Sequence, residues 1–119
     1  ISIEGINNTK LNIKPYIEEA HLIINTTPIG MNNKKNEQES IPLGNEIWDC
    51  LSNKTILYDL IYTPRPTNWL KLGQRKNCVT IDGLDMLVQQ GALSIKLWSG
   101  FNNVPTQIMK SSAEKHLMV

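Results

Sequence analysis

The longest helical pattern of hydrophobic positions in this chain runs from Leu84 to Trp98. A first apolar stripe recurs at helical spacing and consists of Leu84, Leu87, Val88, Gly91, Ile95 and Trp98. A second stripe consists of Met86, Leu93 and Leu97, and it includes one polar residue, Gln90. The pattern predicts one long helix that lies between layers or domains. A lone amide in such a stripe either satisfies a buried backbone group or meets a ligand.

Short apolar runs alternate with helical patterns along the rest of the chain. Strands are predicted near residues 1–6, at 22–24, at 55–62 and at 79–81, and the strand at 22–24 is expected to be covered on both faces. Helices are predicted over residues 14–20, for one turn at 47–51, over 67–77 and over 104–117. The polar segment 30–46 predicts a mobile, lid-like loop. This alternation predicts an α/β fold with a parallel sheet and helices on both faces.

Candidate ligand positions follow from the rule that parallel α/β sheets bind ligands beyond the carboxyl ends of their strands. Residues 25–31 offer an amide, two hydroxyls and a glycine, which could line a ribose or amide group or form a capped turn. Tyr62 could point into the crevice or bond a backbone carbonyl. Asp59 could act as a base or as a structural acceptor. Gly83 permits close approach of the backbone.

Composition narrows the classes of partner and compartment. The chain has 119 residues, 40% of them hydrophobic, with a formal net charge of +1, which gives no reason to expect nucleic acid or a membrane as partner. Cys50 and Cys78 stand in no metal-binding or redox spacing, so reduced thiols in a cytoplasm and no metal site are expected. The first residues show no secretory pattern, and no Gly-x-Gly-x-x-Gly or phosphate loop is present.

Four segments in chain order carry a resemblance to a known family. Residues 22–31 end in Asn-Thr-Thr-Pro-Ile-Gly-Met, and residues 58–64 read Tyr-Asp-Leu-Ile-Tyr-Thr-Pro, with Thr67 and Leu70 beyond. Residues 82–92 read Asp-Gly-Leu-Asp-Met-Leu-Val-Gln-Gln-Gly-Ala, and residues 97–100 read Leu-Trp-Ser-Gly. Together they resemble the C-terminal part of the shikimate dehydrogenases. Three positions depart from the family pattern: Thr26 for a usual Ala, Asp85 for a frequent Gly, and His21 for a usual Asp.

The resemblance implies a fold and a reaction. Residues 1–100 would form the C-terminal half of a Rossmann-like NADP-binding domain that lacks its first dinucleotide-binding βαβ unit. Residues 101–119 would form a helix that packs toward an N-terminal catalytic domain. The family reduces 3-dehydroshikimate to shikimate with NADPH, in the pathway to aromatic amino acids. The family's catalytic Lys and Asp match nothing in this chain, so the chain alone is expected to be inactive, in a protein that is a monomer or a homodimer.

The resemblance also assigns roles to individual residues. The cofactor contacts would come from Thr26, Thr27, Leu60, Gly83 and Met86. The substrate shikimate would be bound by Tyr62 and Gln90. Two alternatives stay open: an NAD-preferring quinate/shikimate dehydrogenase, and a non-catalytic ligand-binding module of the same fold.

Overall fold

Three parallel strands, in the order β1-β2-β3, form the sheet of this fold. The computed structural model describes residues 2–7, 10–31 and 41–117. The strands are β1 (Leu22–Asn25), β2 (Ile56–Asp59) and β3 (Val79–Ile81). The helices are α1 (Lys10–Glu19), the 3-10 helix η1 (Asn45–Cys50), α2 (Asn68–Arg75), α3 (Leu84–Ser99) and α4 (Thr106–Leu117). The predicted α/β fold with a parallel sheet is confirmed.

One face of the sheet carries the main core. Ile23, Leu57 and Thr80 are register partners across the three strands, so their side chains share this face. Leu57 is fully buried, in a cluster completed by Trp48, Trp69, Leu70 and Cys78. A side chain at Gly73 would collide with Leu57, so glycine lets α2 lie close to the sheet. A second cluster joins α1 to η1 through Ile13, Ile17 and Ile47.

The opposite face of the sheet retains exposed apolar side chains. Leu22, Ile56 and Val79 form one registered row on this face, and the next row is Ile24, Tyr58 and Ile81. Leu22 is 49% exposed and Ile24 is 45% exposed. The prediction that β1 is covered on both faces is therefore wrong for this chain. A continuous apolar run in a strand indicates a sheet face that can be buried, but it does not say which segment buries it.

The long helix α3 begins and ends where its pattern predicts. Leu84, Val88 and Ala92 are buried on one side of it, and Gly100 ends it in the left-handed conformation typical of a helix C-terminus. α4 packs on α3, where Lys110 Nζ lies 2.6 Å from Asp85 Oδ1. The hydrogen bond from Lys110 to Asp85 raises the pKa of Lys110.

The first apolar stripe of α3 is buried only over its N-terminal half. Ile95 is half-exposed, and Trp98 is 85% exposed. The predicted position of this helix between layers or domains is therefore not seen in its last turns in this chain, because helical periodicity indicates an apolar side without showing what covers it.

The N-terminal region departs from the prediction. Residues 2–7 form no strand, and α1 begins at Lys10, earlier than predicted. Pro15 therefore lies inside α1 and not in its first turn, where a proline is most easily accommodated. The predicted lid-like loop falls largely on residues 32–40, which lie outside the described residues. Within the described ranges, none of the helices combines the length and apolar character needed to cross a bilayer.

Candidate functional site

The carboxyl ends of the strands bring the predicted ligand segments to one edge of the sheet. Asn25 and Asp59 are register partners at the ends of β1 and β2. Immediately beyond them, the Leu60 amide donates to the Asn25 carbonyl at 3.1 Å. The Gly83 amide donates to the Ile61 carbonyl at 3.1 Å, which joins the segment after β2 to the turn after β3. These backbone bonds make one continuous surface from segments far apart in sequence.

The segment after β1 is a turn organised by Asn25. The Asn25 Oδ1 atom accepts from the Thr27 amide at 3.0 Å and from the Thr27 hydroxyl at 2.7 Å. This is the Asx-turn geometry in which an asparagine side chain bonds the backbone two residues further along the chain. Asn25 is 3% exposed, so of the two alternatives for residues 25–31 its side chain takes the capped turn.

The two threonines of this turn lie at the surface. Thr26 and Thr27 are exposed, as a ligand contact requires. The Thr27 hydroxyl donates its only proton to Asn25 and accepts from the Ile29 amide at 3.2 Å. A hydroxyl has one donor and two acceptor lone pairs, so one lone pair of Thr27 stays free for a ligand. Gly30 is buried with a φ of 105°, a conformation that favours glycine.

Asp59 serves as a structural acceptor. Its Oδ1 atom accepts from Asn25 Nδ2 at 3.0 Å and from the Ile61 amide at 3.1 Å. Its Oδ2 atom accepts from the Thr67 hydroxyl at 2.7 Å. Both oxygens are engaged by protein donors and the residue is 0% exposed, so the alternative of a catalytic base is excluded for this side chain.

Leu60 and Gly83 approach each other at the backbone level. A side chain at position 83 would collide with the Leu60 carbonyl oxygen, so only glycine fits there. The Gly83 carbonyl accepts from the Leu87 amide at 2.9 Å, inside the first turn of α3. A carbonyl has two lone pairs, so this oxygen can accept one further hydrogen bond from a ligand.

A small cavity lies beside Tyr62, which is half-buried. The cavity has a volume of about 190 Å³ and is lined by Met31, Ile61, Tyr62 and Thr63. Its walls come from the segments that follow two neighbouring strands, β1 and β2, as expected of a binding crevice in a parallel sheet.

Met86 and Gln90 lie one helical turn apart on α3, and both are exposed. Leu93 and Leu97 continue the same side of the helix and are also exposed. The second stripe of the sequence pattern is therefore an open surface in this chain, and Gln90 is accessible within it.

An ion pair between two loops lies on the β3 side of the site. Arg65 Nε lies 2.6 Å from Asp82 Oδ2, and Asp82 Oδ1 accepts from the Leu84 amide at 3.0 Å. Asp82 thus ties the loop after Tyr62 to the first turn of α3. A larger cavity of about 520 Å³ lies next to this pair and is lined by Arg65, Pro66, Leu70, Gln74, Thr80, Asp82, Glu114 and Leu117. It contains none of the predicted ligand residues.

Comparison with known proteins identifies the family. Residues 83–114 match the family described as the shikimate 5'-dehydrogenase C-terminal domain. The shikimate dehydrogenase (NADP(+)) of Prochlorococcus marinus strain MIT 9312 is 48% identical over 117 residues, which are 98% of this chain and 41% of that protein. The chain belongs to the shikimate dehydrogenase family.

Solved structures of this family share the fold. A shikimate dehydrogenase crystallised in complex with NADP+ is 34% identical, with a TM-score of 0.68 over 81% of this chain and 31% of its own. The Thermus thermophilus enzyme, in complex with NADP(H) and shikimate, is 28% identical, with a TM-score of 0.70 over 86% of this chain and 36% of its own. This chain spans 41% of the length of the curated shikimate dehydrogenases of Prochlorococcus marinus strains MIT 9215 and MIT 9312.

Three features that organise this site are not determined by the sequence alone. The sequence leaves the roles of Asn25 and Asp59 open and does not foresee the Arg65–Asp82 pair. The contact between Asn25 and Asp59 could have been found from their positions in the sequence. Each residue ends an apolar strand, and the two side chains meet when these neighbouring strands pair in parallel. Nothing in the sequence pairs Arg65 with Asp82, because that contact depends on how the two loops fold.

Proposed function

We propose that this chain is the C-terminal part of an NADP-dependent shikimate dehydrogenase, which reduces 3-dehydroshikimate to shikimate in aromatic amino acid biosynthesis. The observation that carries the proposal is the close backbone approach of Leu60 and Gly83 beside the cavity at Tyr62. Membership of the family supports this proposal. The free thiols of Cys50 and Cys78 also support it, because they suit a reducing cytoplasm.

The cofactor is assigned to the edge formed by the three strand ends. Thr26 and Thr27 offer exposed polar atoms there, and Gly83 offers a carbonyl with an unused lone pair. Leu60 would contribute its backbone, and Met86 would pack beside the nicotinamide ring. When bound, the nicotinamide supplies or accepts the hydride. The residues of this chain hold and orient it.

The substrate is assigned to Tyr62 and Gln90. A phenol and a primary amide are suited to the hydroxyl and carboxylate groups of shikimate, because both can donate hydrogen bonds to them. Tyr62 lines the cavity next to the proposed cofactor position, and Gln90 stands on the exposed stripe of α3.

The rest of the protein is proposed to cover that stripe and the exposed apolar residues beside it. Leu93, Leu97, Trp98 and Phe101 are large apolar side chains, each more than half exposed. Exposed apolar clusters of this kind mark interaction surfaces. We assign this surface to an N-terminal catalytic domain that carries the proton-transferring Lys and Asp, with residues 1–100 as cofactor-binding domain and 101–119 as the segment returning to it.

The first test is activity of the complete protein that contains this chain. It should oxidise shikimate with NADP, and NAD should support a lower kcat/KM. Preference for NAD would favour the quinate/shikimate alternative. A folded protein that turns over with neither cofactor would exclude the dehydrogenase.

The second test isolates Gln90. Calorimetric titration with shikimate should show binding weakened about tenfold by Gln90→Ala, the loss expected for a hydrogen bond to a charged group. Gln89→Ala is the matched control, because Gln89 is the preceding residue of α3 and carries the same side chain. Unaltered affinity in Gln90→Ala would remove the substrate role of this residue, and equal losses in both variants would make the effect nonspecific.

A further inference from the structure

Two buried polar side chains lie where β1 and β2 end, directly before the segments assigned to the ligands. Asn25 Nδ2 donates to Asp59 Oδ1 at 3.0 Å, between residues that are also register partners in the sheet. Asn25 is 3% exposed and Asp59 is 0% exposed. Neither side chain can touch a ligand, so any effect on the reaction acts through the segments that they hold.

Asn25 holds the cofactor segment, residues 26–30. Besides Asp59, its amide nitrogen donates to the Ile29 carbonyl at 3.1 Å. Its oxygen accepts from the amide and hydroxyl of Thr27. An asparagine side chain has two donors and two acceptor positions, so all of them are used. The turn cannot shift without breaking at least one of these bonds.

Asp59 holds the substrate segment, residues 60–63. The Ile61 amide, next to Tyr62, donates to the same Oδ1 atom that receives Asn25. The other oxygen receives the Thr67 hydroxyl, which in turn caps α2 by accepting from the Leu70 amide at 3.3 Å. Hydrogen bonds to a carboxylate are stronger than those between neutral groups, so Asp59 is a firm anchor for both segments.

We propose that Asn25 and Asp59 are positioning residues, whose hydrogen bond fixes the separation between the cofactor segment and the substrate segment. The inference rests on the proposed function. Hydride transfer depends steeply on the distance between the reacting atoms, and displacements of about 1 Å lower rates about 100-fold. Cutting the bond should therefore lower kcat much more than it weakens substrate binding.

The experiment compares Asn25→Ala with Thr55→Val in the complete protein. Thr55 is also 0% exposed, and its hydroxyl donates to the Ala20 carbonyl at 2.8 Å. That bond joins the segments that precede β1 and β2, at the opposite end of the same strand pair. Thr55→Val removes one buried hydrogen bond at the far end of the strand pair, whereas Asn25→Ala removes the four bonds of its side chain at the ligand end, including the one to Asp59.

The expected result is a split between kcat and KM. Asn25→Ala should lower kcat about 100-fold while KM for shikimate stays within about threefold. Thr55→Val should keep kcat within about twofold at a temperature where it stays folded. An unchanged kcat in Asn25→Ala, or equal losses in both variants, would overturn the proposal.

Two further variants serve as a substitute for Asn25→Ala and as a conservative control at Asp59. If Asn25→Ala fails to fold, Asn25→Ser takes its place, because a serine hydroxyl can still organise the turn but cannot reach Asp59. As a single substitution, Asp59→Asn keeps an acceptor oxygen for Asn25 and Ile61, so its kcat should stay within about fivefold of that of the unmutated protein. A loss in Asp59→Asn as large as that in Asn25→Ala would contradict the proposal.

Hydrogen exchange separates this inference from the assignment of the reaction. In Asn25→Ala, the Thr27 and Ile61 amides should both exchange about tenfold faster or more, whereas Thr55→Val should leave them unchanged. This readout needs no turnover. If the protein does not oxidise shikimate, the proposed function fails, and unaltered exchange at Ile61 would overturn the positioning role independently.

Discussion

Gly83 lies so close to Leu60 that any side chain at position 83 would meet the Leu60 carbonyl oxygen. The obstacle is backbone, which cannot rotate away as a side chain can. The turn before α3 and the segment after β2 are therefore held at a separation that only glycine allows.

Gly83→Ala should separate these two segments. We expect the free energy of unfolding of the complete protein to fall by about 1–3 kcal/mol, the usual cost of forcing extra atoms into a packed site. Affinity for NADP should fall with it. Gly44→Ala is the control, because nothing lies within 4 Å of a side chain at that position, and its stability should change by less than about 0.5 kcal/mol in urea unfolding. Equal effects of the two substitutions would contradict the close-approach account.

Tyr62→Phe should weaken the complex with shikimate. The change removes one hydroxyl and keeps the ring, so the loss should be that of one hydrogen bond, about 0.5–1.5 kcal/mol, or about three- to tenfold in KM. Tyr58→Phe makes the same chemical change on the open face of β2 and should leave KM within about twofold. A normal KM in Tyr62→Phe would show that the phenol does not bind substrate.

Leu97 tests whether the exposed stripe of α3 is covered in the complete protein. This side chain is 75% exposed in the present chain. If the catalytic domain covers it, Leu97→Ala should lower the free energy of unfolding by about 2 kcal/mol or more. Lys96→Ala, on the adjacent exposed position, should change it by less than about 0.5 kcal/mol. A Leu97→Ala variant as stable as the control would place the domain contact elsewhere.

Cys78 should be the slower of the two cysteines to alkylate. Burial raises the pKa of its thiol, and its Sγ atom contacts the Ser52 carbonyl oxygen at 3.5 Å. A raised pKa leaves less reactive thiolate at a given pH. Iodoacetamide should therefore label Cys78 at least about tenfold more slowly in the folded protein than in the protein unfolded by urea.

The same shift fixes the direction of a pH effect on stability. The Cys78 thiol binds its proton more tightly in the folded than in the unfolded protein. Its contribution to the free energy of unfolding is therefore fully present at neutral pH and is lost as the pH rises through the pKa of the folded thiol. Cys78→Ala should flatten the fall in stability at alkaline pH. Labelling of Cys78 as fast in the folded as in the unfolded protein would contradict its burial.

The sequence predicted elements well where a local signal was unambiguous. The spacing of Leu84, Val88 and Gly91 predicted α3, and Thr67 predicted the start of α2, whose Leu70 amide it caps. The prediction was wrong where a pattern admits two structures. Three isoleucines among residues 1–6 suggested a strand, but a strand forms only with a partner, and residues 2–7 have none in the described chain.

The candidate site was predictable in outline but not in its hydrogen bonds. The strand ends near Asn25, Asp59 and Ile81 could be located from apolar runs and turn residues. Which polar side chains face a ligand could not be predicted from the sequence, because their orientation depends on neighbours that are distant in sequence. Asn25 and Asp59 are 34 residues apart along the chain, and only the paired strands bring their side chains together.

The Thr55–Ala20 and Asn25–Asp59 bonds have a joint consequence for strand alignment. One bond lies before the paired strands and the other at their ends, so β1 and β2 are pinned at both extremities. Sliding one strand by a single residue would break both bonds and exchange the two faces of the sheet. The alignment of β1 and β2 is therefore fixed by side chains at both ends of the strand pair as well as by the backbone ladder between them.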